Sequence, residues 1–163
     1  MWSLLFVPIS VLGRPLQTEG LIKGKTKDEK TYYSGQITVS GLARRDTQDY
    51  QGYPDIRLGD RFCVFLSKNS EKKIPQVSPY KRSKLFCFSN AKSAIKLLGV
   101  PEKIPDGTCG YEFVTEIVVT GYIQQLSEDE IFDAARLVRV ISRGELREVP
   151  CVPRKLEIDG YWY

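Results

Sequence analysis

Three stretches of this chain, Thr31–Ser40, Asp55–Leu66 and Tyr111–Gln124, alternate apolar and polar residues with a period of two. Successive side chains fall on opposite faces only in a strand, so the pattern calls for sheet with one dry face and one wet one. In the first stretch Tyr33, Ile37 and Val39 share a face, opposite Tyr32, Ser34, Gln36, Thr38 and Ser40. The second points Ile56, Leu58, Phe62, Val64 and Leu66 inward and Arg57, Gly59 and Arg61 outward. The third sets Tyr111, Phe113, Ile117, Val119 and Ile123 against Glu112, Glu116, Thr120 and Gln124. Half-wet alternation of this kind belongs to antiparallel sheets.

Shorter signals fill in the order of elements. Leu85–Phe88 reads as a short buried strand, followed by a helix in which Ala91, Ala94, Ile95 and Leu98 form one apolar stripe. Ser89 or Asn90 is placed to cap that helix, Gly99 to end it in a left-handed turn, and Pro101 to block its continuation. Pro105-Asp106-Gly107 is a turn by its own chemistry. A second helix is expected from Ser127, which forms a capping box with Glu130, through Ile131, Ala134, Ala135, Val138 and Ile141 to Gly144. The density of Val and Ile supports a competing reading in which Leu137 to Ile141 is a strand. Arg14 to Lys30 reads as a polar connector, and Ala43 to Pro54 as a long aperiodic loop. LREVPCVP and KLEIDGYWY suggest two short terminal strands. The sum is an α+β fold with a mainly antiparallel, barrel-like sheet and two helices.

The step Leu58-Gly59-Asp60, leading into Arg61–Leu66, is similar to the way many small β-barrels, OB-like and PUA-like ones among them, bring the chain into a strand. At 163 residues the chain fits a single domain, 1–163, with enough length to bury a core unaided. The apolar run Trp2 to Val11 lacks a preceding Lys or Arg, is interrupted by Pro8 and is too short to cross a bilayer. It reads as a buried first strand. The cysteines, Cys63, Cys87, Cys109 and Cys151, are scattered singly with no CxxC pair, and two of them lie in apolar strand-like runs. Reduced structural thiols and a cytoplasmic location, with no membrane association, are the matching expectations.

Chemistry is constrained chiefly by what is missing. The chain has no histidine, which removes Ser-His, Cys-His and His-metal arrangements together. Glu112 and Glu116 are the tidiest carboxylate pair, yet four residues of strand hold them about 13 Å apart, against about 5 to 9.5 Å in paired glycosidase carboxylates. Asp46 and Asp49 are neutralised more simply by Arg44 and Arg45 than by a metal, and no glycine-rich phosphate loop is present. No catalytic residue, metal or cofactor is assigned, and a non-enzymatic binding role follows.

Charge is what remains. The segment from Lys68 to Lys84 holds Lys68, Lys72, Lys73, Lys81, Arg82 and Lys84 against Glu71, a net of +5 in a chain whose total is +4. An anionic partner would dock here first. Tyr80 sits among these cations, Arg57 and Arg61 share an outward strand face, and Arg44 and Arg45 adjoin Tyr50 and Tyr53. Cations interleaved with aromatic rings suit a single-stranded nucleic acid, whose phosphates need Lys and Arg and whose bases stack on rings. The leading expectation is therefore a small β-barrel-type module that contacts an anionic polymer, single-stranded nucleic acid or RNA. The alternative is an assembly subunit that docks on an acidic protein surface through the basic loop and the aromatic C-terminus, Tyr161-Trp162-Tyr163.

Overall fold

The computed structural model describes residues 20–47, 61–75, 84–126 and 132–151. Among the described residues seven strands and two helices follow one another as β1 (Gly20–Lys27), β2 (Lys30–Asp46), β3 (Arg61–Leu66), α1 (Lys68–Glu71), β4 (Leu85–Phe88), α2 (Ala91–Leu98), β5 (Thr108–Gln125), β6 (Asp133–Arg143) and β7 (Arg147–Pro150). The fold is α+β and mostly antiparallel sheet, with β4 and β6 as the parallel pair. The expected strand at Trp2 to Val11, the capping box at Ser127 and Glu130, and the terminal KLEIDGYWY lie outside the described residues.

The two long strands organise everything else. β2 pairs along its whole length with β5, while its other edge takes β1 against Lys30–Gln36 and β3 against Gly41–Asp46. β3 then pairs with β4, β4 with β6, and β6 with β5, so the pairings return to their starting strand. The register can be followed around this ring: Arg44 opposes Cys63, Cys63 opposes Cys87, Cys87 opposes Ala134, Ala134 opposes Ile123, and Ile123 opposes Tyr32. One circuit thus comes back to β2 twelve residues from where it left, at position 32 instead of 44.

One face of this sheet carries the core that the alternation predicts. Tyr33, Ile37, Val39, Phe62, Val64, Leu66, Phe86, Phe88, Phe113, Ile117 and Val119 are all buried. Phe62 meets Phe88 and Phe113 edge to face, as Phe86 meets Tyr122, an arrangement that aligns ring edges with ring faces. α2 packs on this core through Ala94, Ile95 and Leu98, and Gly99 ends it in the left-handed conformation, as its sequence implies. Asn90 stands at the N-cap position without capping: its amide donates to Leu137 O and its side-chain oxygen accepts from Leu137 N, which ties the helix start to β6.

Several expectations give way. The region 133–143 is strand β6 and not the favoured helix, which bears out the competing strand reading of Leu137 to Ile141: Ala135 and Leu137 point into the core while Ala134 and Arg136 point out, with β5 and β4 supplying the hydrogen bonds. Arg143, placed by the sequence on a helix of its own, donates to Leu98 O and Gly99 O and so caps the C-terminus of α2 instead. The connector Arg14 to Lys30 contains β1, and Ala43–Asp46 belongs to β2, paired on both sides. In β5 the alternation changes phase at Gly121, whose φ of 57° inserts a bulge opposite β6. Tyr122 and Gln124 consequently turn inward and Ile123 outward, the reverse of the uninterrupted pattern.

The reduced-thiol expectation is also overturned. Cys63 and Cys87 oppose one another across β3 and β4 and form a disulfide, and Cys109 pairs with Cys151 to fasten β7 to the start of β5. Burial within apolar runs is as compatible with a cross-strand bridge as with free thiols, and only the register tells them apart. Paired cysteines are the chemistry of an oxidising compartment. The cytoplasmic expectation, drawn from reading the N-terminal apolar run as a strand, loses the matching support of reduced thiols. Among the described residues no helix is long and apolar enough to cross a membrane.

Candidate nucleic-acid interface

Arg61, Cys63 and Phe65 alternate with core residues Phe62, Val64 and Leu66, so they form the outer face of β3. On β4 the corresponding residues are Leu85 and Cys87, and β2 contributes Leu42 and Arg44. Leu42, Phe65 and Leu85 stand in one register row, with Arg44 and the Cys63–Cys87 disulfide in the next. The Arg61 guanidinium lies over the ring of Phe132, 5.0 Å from its centroid, at the foot of β6. The result is a half-buried apolar platform bordered by guanidinium groups.

The basic segment is built against one end of this platform. Ser67 leaves β3 and caps α1, accepting a hydrogen bond from Ser70 N at 3.3 Å. The next contacts repair a gap, since the edge of β2 between its β1 and β3 pairings would otherwise have unmet backbone groups. Ser40 N donates to Ser70 Oγ at 2.8 Å, Ser67 N donates to Ser40 O at 2.9 Å, and Lys73 Nζ reaches Thr38 O at 2.7 Å. Ser70 and Ile74 are buried by this docking, which leaves Lys68, Lys72 and Lys73 exposed around them. Leu66 N donates to Lys84 O at 2.8 Å, so exposed Lys84 joins these lysines where β3 ends and β4 begins.

A buried polar cluster beneath secures the connections. Gln124 Nε2 donates to Pro75 O at 3.0 Å while its Oε1 accepts from Tyr33 OH at 2.9 Å. Tyr122 OH donates to Asp133 Oδ2 at 2.6 Å, and Asp133 Oδ1 accepts from Gln125 N at 3.0 Å. One side chain thus holds the chain where it enters the 76–83 stretch, and another holds the start of β6. Burial, and secondarily the nearby Asp133 carboxylate, pushes the Tyr122 hydroxyl well above the usual phenol range, so it stays a donor.

The remaining predicted contacts divide by location. Arg45 points inward, is 3% exposed and donates to Pro101 O and Glu102 O, holding the chain beyond α2. Arg44 Nε is 2.8 Å from Asp46 Oδ2, the neutralisation expected of that pair, and its side chain remains partly exposed on the outer face. Arg57, Tyr80, Lys81 and Arg82 lie outside the described residues. Glu112 and Glu116 sit on the outer face of β5, and among the described residues no three Cys, Asp or Glu side chains gather as a metal site.

Two contributors escaped sequence reasoning. Phe132 was hidden in what read as a helix, and the β1–β2 hairpin adds Lys25, Lys27 and Lys30 beside Tyr32, with Lys25 Nζ 5.5 Å from the Tyr32 ring centroid. The alternating Lys23, Lys25 and Lys27 were the available signal for the hairpin. Comparison with protein-family models, with characterised proteins and with solved structures finds no match.

Proposed function

We propose that the ring β2-β3-β4-β6-β5 is a small closed barrel and that the protein binds single-stranded nucleic acid across the outer face of β3 and β4. Closing a sheet requires the register to return with a stagger, which the twelve-residue offset supplies. The order of pairing, with α2 between the third and fourth ring strands, resembles that of OB-type barrels. In those barrels the face of the second and third strands and the neighbouring loops take oligonucleotides. Fold alone does not specify function. The observation that carries the reading is local: the strongest cationic segment of the chain is the connection between β3 and β4, and it borders a face bearing Arg61, Phe65 and Phe132.

The test is oligonucleotide binding by fluorescence anisotropy across a salt series. Each phosphate neutralised in a single strand contributes about −0.7 to the log-log slope. Changing Lys68, Lys72 and Lys84 together to Ala should therefore shallow the slope by about 2, with little loss of fold stability at these exposed positions. Phe65→Ala should weaken binding by about 1–3 kcal/mol at constant slope if its ring carries a base. Absence of binding by the unmodified protein at low salt would sink the proposal and leave docking on an acidic protein as the better account of the basic segment.

A further inference from the structure

The β1–β2 hairpin carries a charge arrangement that its own stability does not explain. Asp28 and Glu29 form its two-residue turn with φ of 50° and 57°, so Lys27 and Lys30 face each other directly across the strands. Like charges in that position are destabilising, and the exposed Lys27–Asp28 ion pair at 3.7 Å offsets this only weakly. A bulge follows, where Gly24 and Lys25 together oppose Tyr32, and it brings the Lys25 ammonium over the Tyr32 ring. Thr26 and Thr31 pair on the opposite, inward side, so Lys25, Lys27, Lys30 and Tyr32 share the outer face. Lysines on an edge strand discourage strand-to-strand aggregation. That explanation reaches Lys25 and Lys27 on β1, but not Lys30, which stands on β2 between β1 and Gln125 of β5.

Position connects this hairpin to the β3–β4 face. The row Arg44, Cys63, Cys87, Ala134, Ile123 and Tyr32 runs around the wall strand by strand. Each of its members alternates with core residues, so the whole row faces outward, and Ile123 does so only because of the Gly121 bulge. None of its members is a carboxylate, and Asp46 lies against Arg44 at its first position. Five steps of about 4.8 Å make it about 24 Å long. Leu126 N donates to Glu29 O at 2.8 Å, so the connection that ends at Phe132 begins against the hairpin turn.

We infer that this row is a track for single-stranded nucleic acid and that Lys25, Lys27, Lys30 and Tyr32 form its far end, a second phosphate-binding patch. The inference rests on the proposed binding at β3 and β4 and extends it. Length is the discriminating variable. dT4 carries three phosphates, too few to reach from the β3–β4 face to the hairpin along a track of about 24 Å, whereas the eleven phosphates of dT12 exceed it. Binding of dT4 and dT12 is therefore compared for the unmodified protein and for a Lys25→Ser, Lys27→Ser, Lys30→Ser variant. The variant should bind dT4 normally, lose roughly ten- to a hundredfold affinity for dT12 at low salt, and show a dT12 salt slope shallower by about 2. Equal affinity of variant and unmodified protein for dT12, or equal losses on both lengths, overturns the track while leaving the β3–β4 reading intact. Failure of the unmodified protein to bind either oligomer overturns both. As a control for folding, Asp28→Asn with Glu29→Gly removes two opposing charges and suits the turn. It should strengthen dT12 binding selectively, and no gain would count against the track.

Discussion

Tyr122 and Asp133 make the most consequential single contact in the interior, because each is buried and each would cost free energy without the other. Tyr122, and to a smaller degree Tyr33, is raised above the ordinary phenol range, first by burial and then by Asp133. The folded protein therefore holds these protons at pH values where the unfolded chain releases them. Stability owed to them is fully present below about pH 10 and falls as pH rises beyond it, by up to about 1.4 kcal/mol per pH unit for each tyrosine. Tyr122→Phe should cost about 1–3 kcal/mol at neutral pH, since Asp133 loses a donor, and should flatten the alkaline decline seen in urea titrations. An unchanged alkaline slope would show that Tyr122 does not carry the effect. None of this was legible in the sequence, where Gln124 reads as an outward residue and Tyr122 is unassigned. The cause is one residue, Gly121, whose left-handed backbone shifts the phase of every side chain after it.

At the scale of elements, the strands with clean alternation were readable and those shaped by their neighbours were not. β3, β4, α2 and most of β5 lie where period and turn chemistry put them. β6 misled because Ala134, Ala135, Val138 and Ile141 fit a helical stripe, and small residues such as alanine do not declare a face; its bulged register against β5 blurs the alternation further. β1 was unreadable for another reason: nearly all its residues are exposed, so no apolar period exists to find. The disulfides depend on register, which a single chain does not display. Their energetic weight follows from loop closure. Separations of 24 and 42 residues correspond to about 3.5 and 4 kcal/mol in the chain-entropy estimate. Replacing Cys109 and Cys151 by Ser should lower stability by about 2–4 kcal/mol in urea melts and expose the four-residue β7 to early proteolysis. If β7 stays protected, its pairing with β5 holds without the bridge.

Seen whole, the molecule divides into a ring and its attachments. β2, β3, β4, β5 and β6 each have a neighbour on both sides, so opening one of them breaks two ladders. β1 and β7 are each paired on one side among the described residues. Local opening draws on the weakly held parts, whereas a cooperative unit opens only with global unfolding. This sets a test for the four-residue β4, which by length alone would be among the first strands to fray. In native-state hydrogen exchange its amides should exchange with the same free energy as those in the middle of β2, while β1 and β7 exchange earlier. Early exchange of β4 together with β7 would mean that the β4–β6 pairing opens readily, and the proposed barrel would then be an open sheet in solution. The same result would bear on binding, because the row from Arg44 to Tyr32 crosses β4 and β6. A track that breaks at that seam would have no continuous surface to offer a long oligonucleotide, and dT12 would gain nothing over dT4.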